Sequence, residues 1–108
     1  MAHREHRDLL KLLHECMEEC NHCFDACLKE EDIAMMRKCI RLDRECAEIC
    51  GYLAQAIARD SPYIAEIAAL CVKVCEDCGN ECKKHMHDHC QACAEVCLRC
   101  AEACKKLA

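Results

Sequence analysis

Apolar and thiol-bearing residues recur along the chain at steps of three and four, with charged residues filling the positions between them. Steps of that length return to one face of an α-helix. In the first segment, from about Arg4 to Leu28, the seam is Leu9, Leu13, Cys16, Cys20, Cys23 and Cys27, widened by Leu12 and Met17. Arg4, Glu5, Lys11, Glu15, Glu18 and Glu19 lie mostly off it. The second segment, from about Asp32 to Arg59, carries Met36, Cys39, Asp43, Cys46, Cys50, Leu53 and Ile57 at the same spacing. The third, from about Pro62 to Lys84, aligns Ile64, Ile67, Ala68, Cys71, Cys75, Cys78 and Cys82. The fourth, from about Asp88 to Lys105, aligns Cys90, Cys93, Cys97, Cys100 and Cys104, with Leu107 beyond.

Polar punctuation separates the segments. Lys29-Glu30-Glu31-Asp32 can hold a tight turn and supply acidic residues to the next N-terminus. Asp60-Ser61-Pro62 offers an N-cap followed by Pro at the first helical position. Asp88 can cap the last helix, and Lys105 and Lys106 suit the negative end of its dipole. Gly51 falls inside the second helix and weakens it by about 1 kcal/mol relative to Ala. Four helices with short connections predict an all-α fold: an antiparallel up-down-up-down four-helix bundle with a cysteine-lined core, one domain over residues 1–108. Antiparallel threading gathers Met35, Met36, His85, Met86, His87 and His89 at one end. Leu9, Leu10, Leu12, Leu13, Leu53, Ile57, Ile64, Ile67 and Leu70 gather at the other.

Composition agrees with helices: 2 Gly, 1 Pro, 2 Tyr, 1 Phe and no Trp. The net charge of −5, with no dense Lys/Arg block, disfavours a nucleic-acid partner. No run of apolar residues reaches the length of a membrane span. The start, MAHREHRDLLKLLHEC, carries no export signal, so the cytoplasm is the expected compartment. Thiols stay reduced there. Cysteine makes up about 15% of the chain, 16 residues in all, and in that compartment this argues for metal rather than disulfides. Thiols at i and i+4 on a continuous helix also meet disulfide geometry poorly.

Seven Cys-x-x-x-Cys pairs can be written: Cys16/Cys20, Cys23/Cys27, Cys46/Cys50, Cys71/Cys75, Cys78/Cys82, Cys93/Cys97 and Cys100/Cys104. Each sets two sulfurs one helical turn apart, with Cβ atoms about 5–6 Å from one another. Two-coordinate thiolate binding suits a soft monovalent ion, and Cu(I) is the biological candidate. Zinc prefers four ligands in a tetrahedron, and the seams form a continuous column rather than separate clusters of four. Charge sharpens the choice, because one Cu(I) per thiolate leaves a neutral core whereas Zn(II) with four thiolates leaves about two negative charges per site. Without metal, neutral thiols pack as small apolar groups, so a preformed helical tube is expected before copper arrives. Two-coordinate binding gives room for about 8 ions, or about 16 if every thiolate bridges two. Such numbers mean storage or buffering rather than delivery, and the cofactor is multiple Cu(I) ions per chain.

Two alternatives remain at this level: a zinc or heavy-metal buffer, and an iron–sulfur or thiol redox protein. Cys75, Cys78 and Cys82 with Cys90 and Cys93 look like part of an iron–sulfur signature, but the full spacing and its Pro are missing. No paired carboxylates, nucleophile–base constellation or phosphate loop supports hydrolytic catalysis, so no enzyme is expected. His85, His87 and His89, beside Met36 and Met86, are candidate ligands or entrance residues at the soft-ligand end. Asp43 occupies a seam position as a buried polar partner or an occasional oxygen contact to metal. His3, His6, His14 and His22 lie off the seams and read as surface residues. Ile33, Ile40, Ile49, Tyr52, Tyr63 and Leu98 can form an outer apolar interface or flank the core. No motif names the protein that supplies or withdraws copper.

The repeated Cys-x-x-x-Cys pairs on four helices, with the His/Met-bearing end, resemble the bacterial copper storage proteins, specifically the cytosolic branch without an export signal. The likeness covers nearly the whole chain. It implies a four-helix bundle holding many Cu(I) ions along its core, assembled as a homotetramer, with copper entering at the His/Met end. It also implies a role in holding copper safely in the cytosol. Carried onto this chain, it makes the seven pairs, Cys39 and Cys90 the copper ligands. The exported branch, with a Tat signal and a more methionine-rich mouth, is less similar. Asp43 stands where the pattern would carry a cysteine.

Overall fold

The computed structural model describes residues 6–108. His3, Arg4 and Glu5, read above as surface positions, lie outside the described residues. Four α-helices follow one another: α1 (Arg7–Leu28), α2 (Arg37–Ala58), α3 (Ile64–Cys82) and α4 (Asp88–Cys104). A short 3₁₀ helix, Ile33–Met36, leads into α2. No strand occurs among the described residues. Each helix packs against two neighbours around a closed square: α1 on α2 and α4, α3 on α2 and α4. Cys27 near the end of α1 meets Cys39 near the start of α2, at 4.0 Å between sulfurs. Cys50 late in α2 meets Cys71 early in α3 at 3.9 Å. These pairings make consecutive helices antiparallel, as short connections require. The result is a rod of 47 × 18 × 17 Å.

The ends of the helices differ in detail from the sequence expectation. The segment expected to be helical from Asp32 begins as the 3₁₀ turn, and the regular α-helix starts at Arg37. That tighter turn draws Met36 fully inward while Ile33 and Met35 stay exposed. Regular α3 starts at Ile64 rather than Pro62, and its cap position is Tyr63, not Ser61; Ser61 Oγ instead accepts the Tyr63 N–H at 3.1 Å within the turn before the helix. Asp88 is the first residue of α4 and not its cap; that position belongs to His87, which makes no side-chain cap bond. A carboxylate in the first turn still complements the helix dipole. α2 ends in a left-handed residue, Asp60 at φ 52°. The Ser61 N–H donates to Ala56 C=O at 2.9 Å and the Asp60 N–H to Ile57 C=O at 3.1 Å. Those two bonds satisfy the last carbonyls of α2 and turn the chain toward Pro62.

The core separates by height. Leu13, Leu53 and Ile57 are fully buried at the end that holds the α2–α3 turn. Each contributes about 1.5–3 kcal/mol through removal of its side chain from water. Ala56, Ile67 and Ala68 join them in the same cluster, with Leu9, Leu10, Leu12, Ile64 and Leu107 partly covering it. Leu70, expected in this floor, is half exposed instead. It sits one residue before Cys71, off the seam, so burying the thiol turns it outward. Above the floor cysteine dominates the core, with Met36, Asp43, Ala47, Ala94 and Val96 buried among the thiols. Gly79 permits this on one side: a Cβ there would fall 2.7 Å from Leu98 Cγ, so α3 and α4 approach through a position that only glycine fits. No helix among the described residues is long and apolar enough to cross a membrane.

Candidate metal centre

All sixteen cysteines are fully buried and none is disulfide-bonded. The seams of four helices converge, so thiols from different helices meet in the core. At the middle of the rod, Cys16 on α1 lies 3.9 Å from Cys46 on α2 and 3.8 Å from Cys97 on α4, and Cys46 lies 3.6 Å from Cys75 on α3. Cys20 reaches Cys97 at 3.5 Å and Cys93 at 3.7 Å. Toward the floor, Cys71, Cys75 and Cys50 form a triangle with sides of 3.8, 3.7 and 3.9 Å. Toward the opposite end, Cys23, Cys27 and Cys90 form another, of 3.7, 3.9 and 3.9 Å, and Cys39 touches Cys82 at 3.1 Å.

These spacings suit metal. Metal–thiolate bonds of about 2.3 Å put ligand sulfurs about 3.8 Å apart in a tetrahedron and about 4.6 Å apart on a line. Several overlapping sets of four ligand atoms lie within 4.8 Å of one another, among them Cys16, Cys46, Cys50 and Cys75, then Cys20, Cys78, Cys93 and Cys97, then Cys23, Cys27, Cys39 and Cys90. A further set, Cys16, Cys20, Cys46 and Cys97, shares members with the first two, and Cys23, Cys39, Asp43 and Cys82 shares members with the third, so the column forms two runs of linked sites that meet at Asp43. Tetrahedral ions would fit it locally, but four thiolates around Zn(II) leave net negative charge where the surrounding backbone N–H groups are already engaged in helices.

Asp43 is the one fully buried charged-type residue of the described core. The thiols of Cys78 and Cys93 donate to its Oδ1 at 3.3 Å, that of Cys82 at 3.5 Å, and that of Cys39 to Oδ2 at 3.9 Å. Burial first, then negative charge on Cys93, Cys78 and Cys39, pushes its carboxyl up to about 11. It is therefore a protonated acid at neutral pH, held in a cage of thiols. Asp43 also belongs to a four-ligand set with Cys23, Cys39 and Cys82. Burial likewise leads the rise of Cys27 and of Cys90, the latter to about 12 with the charge of Cys39 adding to it. Cys27 and Cys90 therefore keep their protons until a cation takes the proton's place.

The other candidates from the sequence divide. His89 Nδ1 lies 3.4 Å from Cys23, 3.5 Å from Cys90 and 3.9 Å from Cys27, so it closes the sulfur column at the end with the α1–α2 and α3–α4 turns. His87 stacks on His89 with ring centroids 5.3 Å apart but faces Glu30 and Asp32 rather than sulfur. His85 turns to Glu81 at 2.9 Å. Met36 is buried with the thiols, whereas Met35 and Met86 stand in solvent, Met86 at 86% exposure. His14 and His22 are exposed and His6 is half-buried. Sequence reasoning passed over Glu30, which holds His89 at 2.8 Å from the turn after α1. It also passed over Gln91, whose side-chain amide donates to the carbonyls of Lys83 at 3.1 Å and His85 at 2.6 Å and so ties the α3–α4 turn to α4. The signal available was the shared end of the two turns, which places Glu30 opposite the histidines.

Comparison with known proteins bears on this arrangement. A curated relative, the uncharacterized cysteine-rich protein YhjQ of Bacillus subtilis, is 58% identical over 80 residues, which are 74% of each chain. The structure superposes on Cu(I)-bound copper storage protein BsCsp3 with a TM-score of 0.91 at 50% identity, covering 95% of this chain and 97% of that one. It superposes on a cytosolic copper storage protein from Streptomyces lividans, carrying five coppers, with a TM-score of 0.92 at 36% identity, covering 98% and 93%. The family model for copper storage proteins (Csp) matches residues 2–108. With a sulfur column on four helices and a model match across almost its whole length, this chain belongs to the copper storage protein family.

Proposed function

We propose that the chain, acting as one domain, stores and buffers many Cu(I) ions in the cytoplasm through its core cysteines. The observation that carries this reading is the burial of all sixteen thiols in one core, where several groups of four ligand atoms lie within 4.8 Å of one another. The ligands are Cys16, Cys20, Cys23, Cys27, Cys39, Cys46, Cys50, Cys71, Cys75, Cys78, Cys82, Cys90, Cys93, Cys97, Cys100 and Cys104. Each thiol gives up one proton as it takes copper, so the core filled to one Cu(I) per thiolate is neutral. The approach to that balance favours Cu(I) over divalent ions. Capacity lies between about 8 and about 16 ions, depending on how many thiolates bridge.

His89 is the mouth ligand, because its Nδ1 faces three terminal thiols. Asp43 serves as a polar partner to the thiols around it and as an oxygen contact to the ions they hold. The chain works as storage and not as an enzyme: its concentrated chemistry is a ligand column. A homotetramer is the expected assembly. An apolar groove along α1 and α2, lined by Phe24, Leu28, Ile33 and Ile40 with Arg37, Arg41 and Arg44 at its edge, offers the contact surface. Light scattering of the copper-free protein reads the assembly directly.

The test is an anaerobic Cu(I) titration of the reduced protein against a Cu(I) chelator, with thiols counted at each step and Zn(II) as competitor. Many equivalents held until the thiols are consumed is the expected result. Saturation at one or two ions, or displacement of copper by zinc, would overturn storage of Cu(I).

A further inference from the structure

The hydrogen-bonded chain at the mouth has a member that no metal needs as a ligand. His89 lies on the first turn of α4 with Nδ1 directed at the sulfurs of Cys23, Cys90 and Cys27. Its Nε2 is 2.8 Å from Oε2 of Glu30. Glu30 comes from a different part of the chain, where its own N–H closes α1 by donating to Cys27 C=O at 3.2 Å. The same Oε2 is 3.3 Å from His87 Nδ1, and His87 Nε2 is 3.5 Å from Asp32 Oδ1. The two imidazoles stack within 5° of parallel. The Glu30 carboxylate is therefore clasped between two rings, and only 29% of its side chain is exposed.

An imidazole that meets a carboxylate at one nitrogen donates its N–H there and keeps a free electron pair on the other. Glu30 thus sets two properties of His89 together. It fixes the ring's rotation, and it fixes the tautomer that leaves Nδ1 bare toward the sulfurs. We infer that Glu30 is a positioning residue for copper uptake, presenting His89 Nδ1 as the first donor that an arriving Cu(I) meets and from which it passes to Cys23, Cys27 and Cys90. The inference rests on the Cu(I) storage reading. The transfer is two ligand exchanges. The bond between copper and its carrier breaks as Cu–Nδ1 forms, then Cu–Nδ1 breaks as Cu–Sγ forms, and the proton of that thiol leaves to solvent. Copper stays Cu(I) and no electrons change hands. A carboxylate beside a metal-facing histidine acts at this distance in many metal sites, and losing it costs about 10- to 100-fold in metal affinity or activity.

The competing explanation is plain attraction, with an acidic turn drawing a cation toward the mouth whatever His89 does. Anaerobic stopped-flow transfer of Cu(I) from a coloured chelator into reduced full-length protein separates the two, read as transfer rate and as final equivalents. Glu30→Ala is expected to slow transfer about tenfold with the final equivalents unchanged. Glu30→Gln, whose amide oxygen still accepts the Nε2 hydrogen without charge, is expected to restore most of the rate. In a His89→Ala background, Glu30→Ala is expected to add no further slowing. Equal slowing by Ala and Gln, equal slowing with and without His89, or no slowing in Glu30→Ala would each overturn the positioning role. Failure of the unsubstituted protein to take up many equivalents would instead overturn the storage reading.

Discussion

The two ends of the rod share a sulfur column and differ in what closes it. At the floor, Leu13, Leu53 and Ile57 are fully buried, with Ile67 and Ala68 beside them. At the mouth, the last thiols meet the His89 imidazole, which Glu30 holds from its other side, with the buried thioether of Met36 in the same core. A thiol contributes less burial energy than leucine because it is smaller, so a cysteine column gives up stability that must come from elsewhere. The floor supplies it. The mouth closes instead on polar groups that hydrogen-bond one another. The contrast assigns cohesion to one end and, in the uptake proposed above, traffic to the other.

Four tests press on that contrast. The largest effect belongs to the floor: Leu53→Ala or Ile57→Ala should cost about 2–5 kcal/mol in the copper-free protein, measured by chemical denaturation under reducing conditions. Copper transfer rate should not change. Faster uptake in either variant would reveal a second way in and erase the division of labour. Next comes Asp43, near the mouth, where the sign reverses. A carboxyl raised to about 11 in the folded state and near 3.9 unfolded holds its proton only when folded. The native state is then undiminished below the unfolded value and loses about 1.4 kcal/mol per pH unit above it. Asp43→Asn should therefore gain on the unsubstituted protein steadily, by about 4 kcal/mol between about pH 5 and pH 8. Parallel stability curves for the two proteins would mean that Asp43 is ionised in its thiol cage.

A third change tests the wall between the two ends. Gly79→Ala would drive a methyl against Leu98 and should cost about 1–3 kcal/mol, with the copper equivalents kept. Rescue by Leu98→Ala in the same chain would locate the cost at that contact, and failure of the double variant to recover would place it elsewhere. The smallest effect is expected on the outer surface. Arg99 and Glu15, both half exposed, are 3.0 Å apart across α4 and α1, and Arg99→Ala should shift stability by no more than about 1 kcal/mol. A larger loss would mean that the surface, and not the floor, carries the cohesion.

Much of this was legible in the chain itself, because helical periodicity and thiol chemistry point to the same faces. The seams name every buried cysteine, and Asp43 stands out as the one oxygen among sulfurs. Where the reading fell short, the missing quantity was local rotation. His85, His87 and His89 are equivalent as letters, yet a turn tied by Gln91 sends one to sulfur, one to Glu30 and Asp32, and one to Glu81. Met35 and Met36 are adjacent, and a single 3₁₀ turn exposes the first and buries the second. Leu70 looks like floor by composition and is turned outward by its neighbour Cys71. Glu30 went unread because its partner is 59 residues away, and only the closing of the bundle brings the two turns together.

The thiol layers draw on all four helices at once: Cys16, Cys46, Cys75 and Cys97 come from four different ones. Ions placed there would staple helix to helix at successive heights. Unfolding the empty rod separates packed surfaces, whereas unfolding the filled rod must also break coordinate bonds. A protease needs the chain opened before it can cut, so it would find the empty container and pass over the full one. The cell's degradation machinery would then sort these molecules by their contents, and the amount of protein kept would follow the amount of metal to be kept.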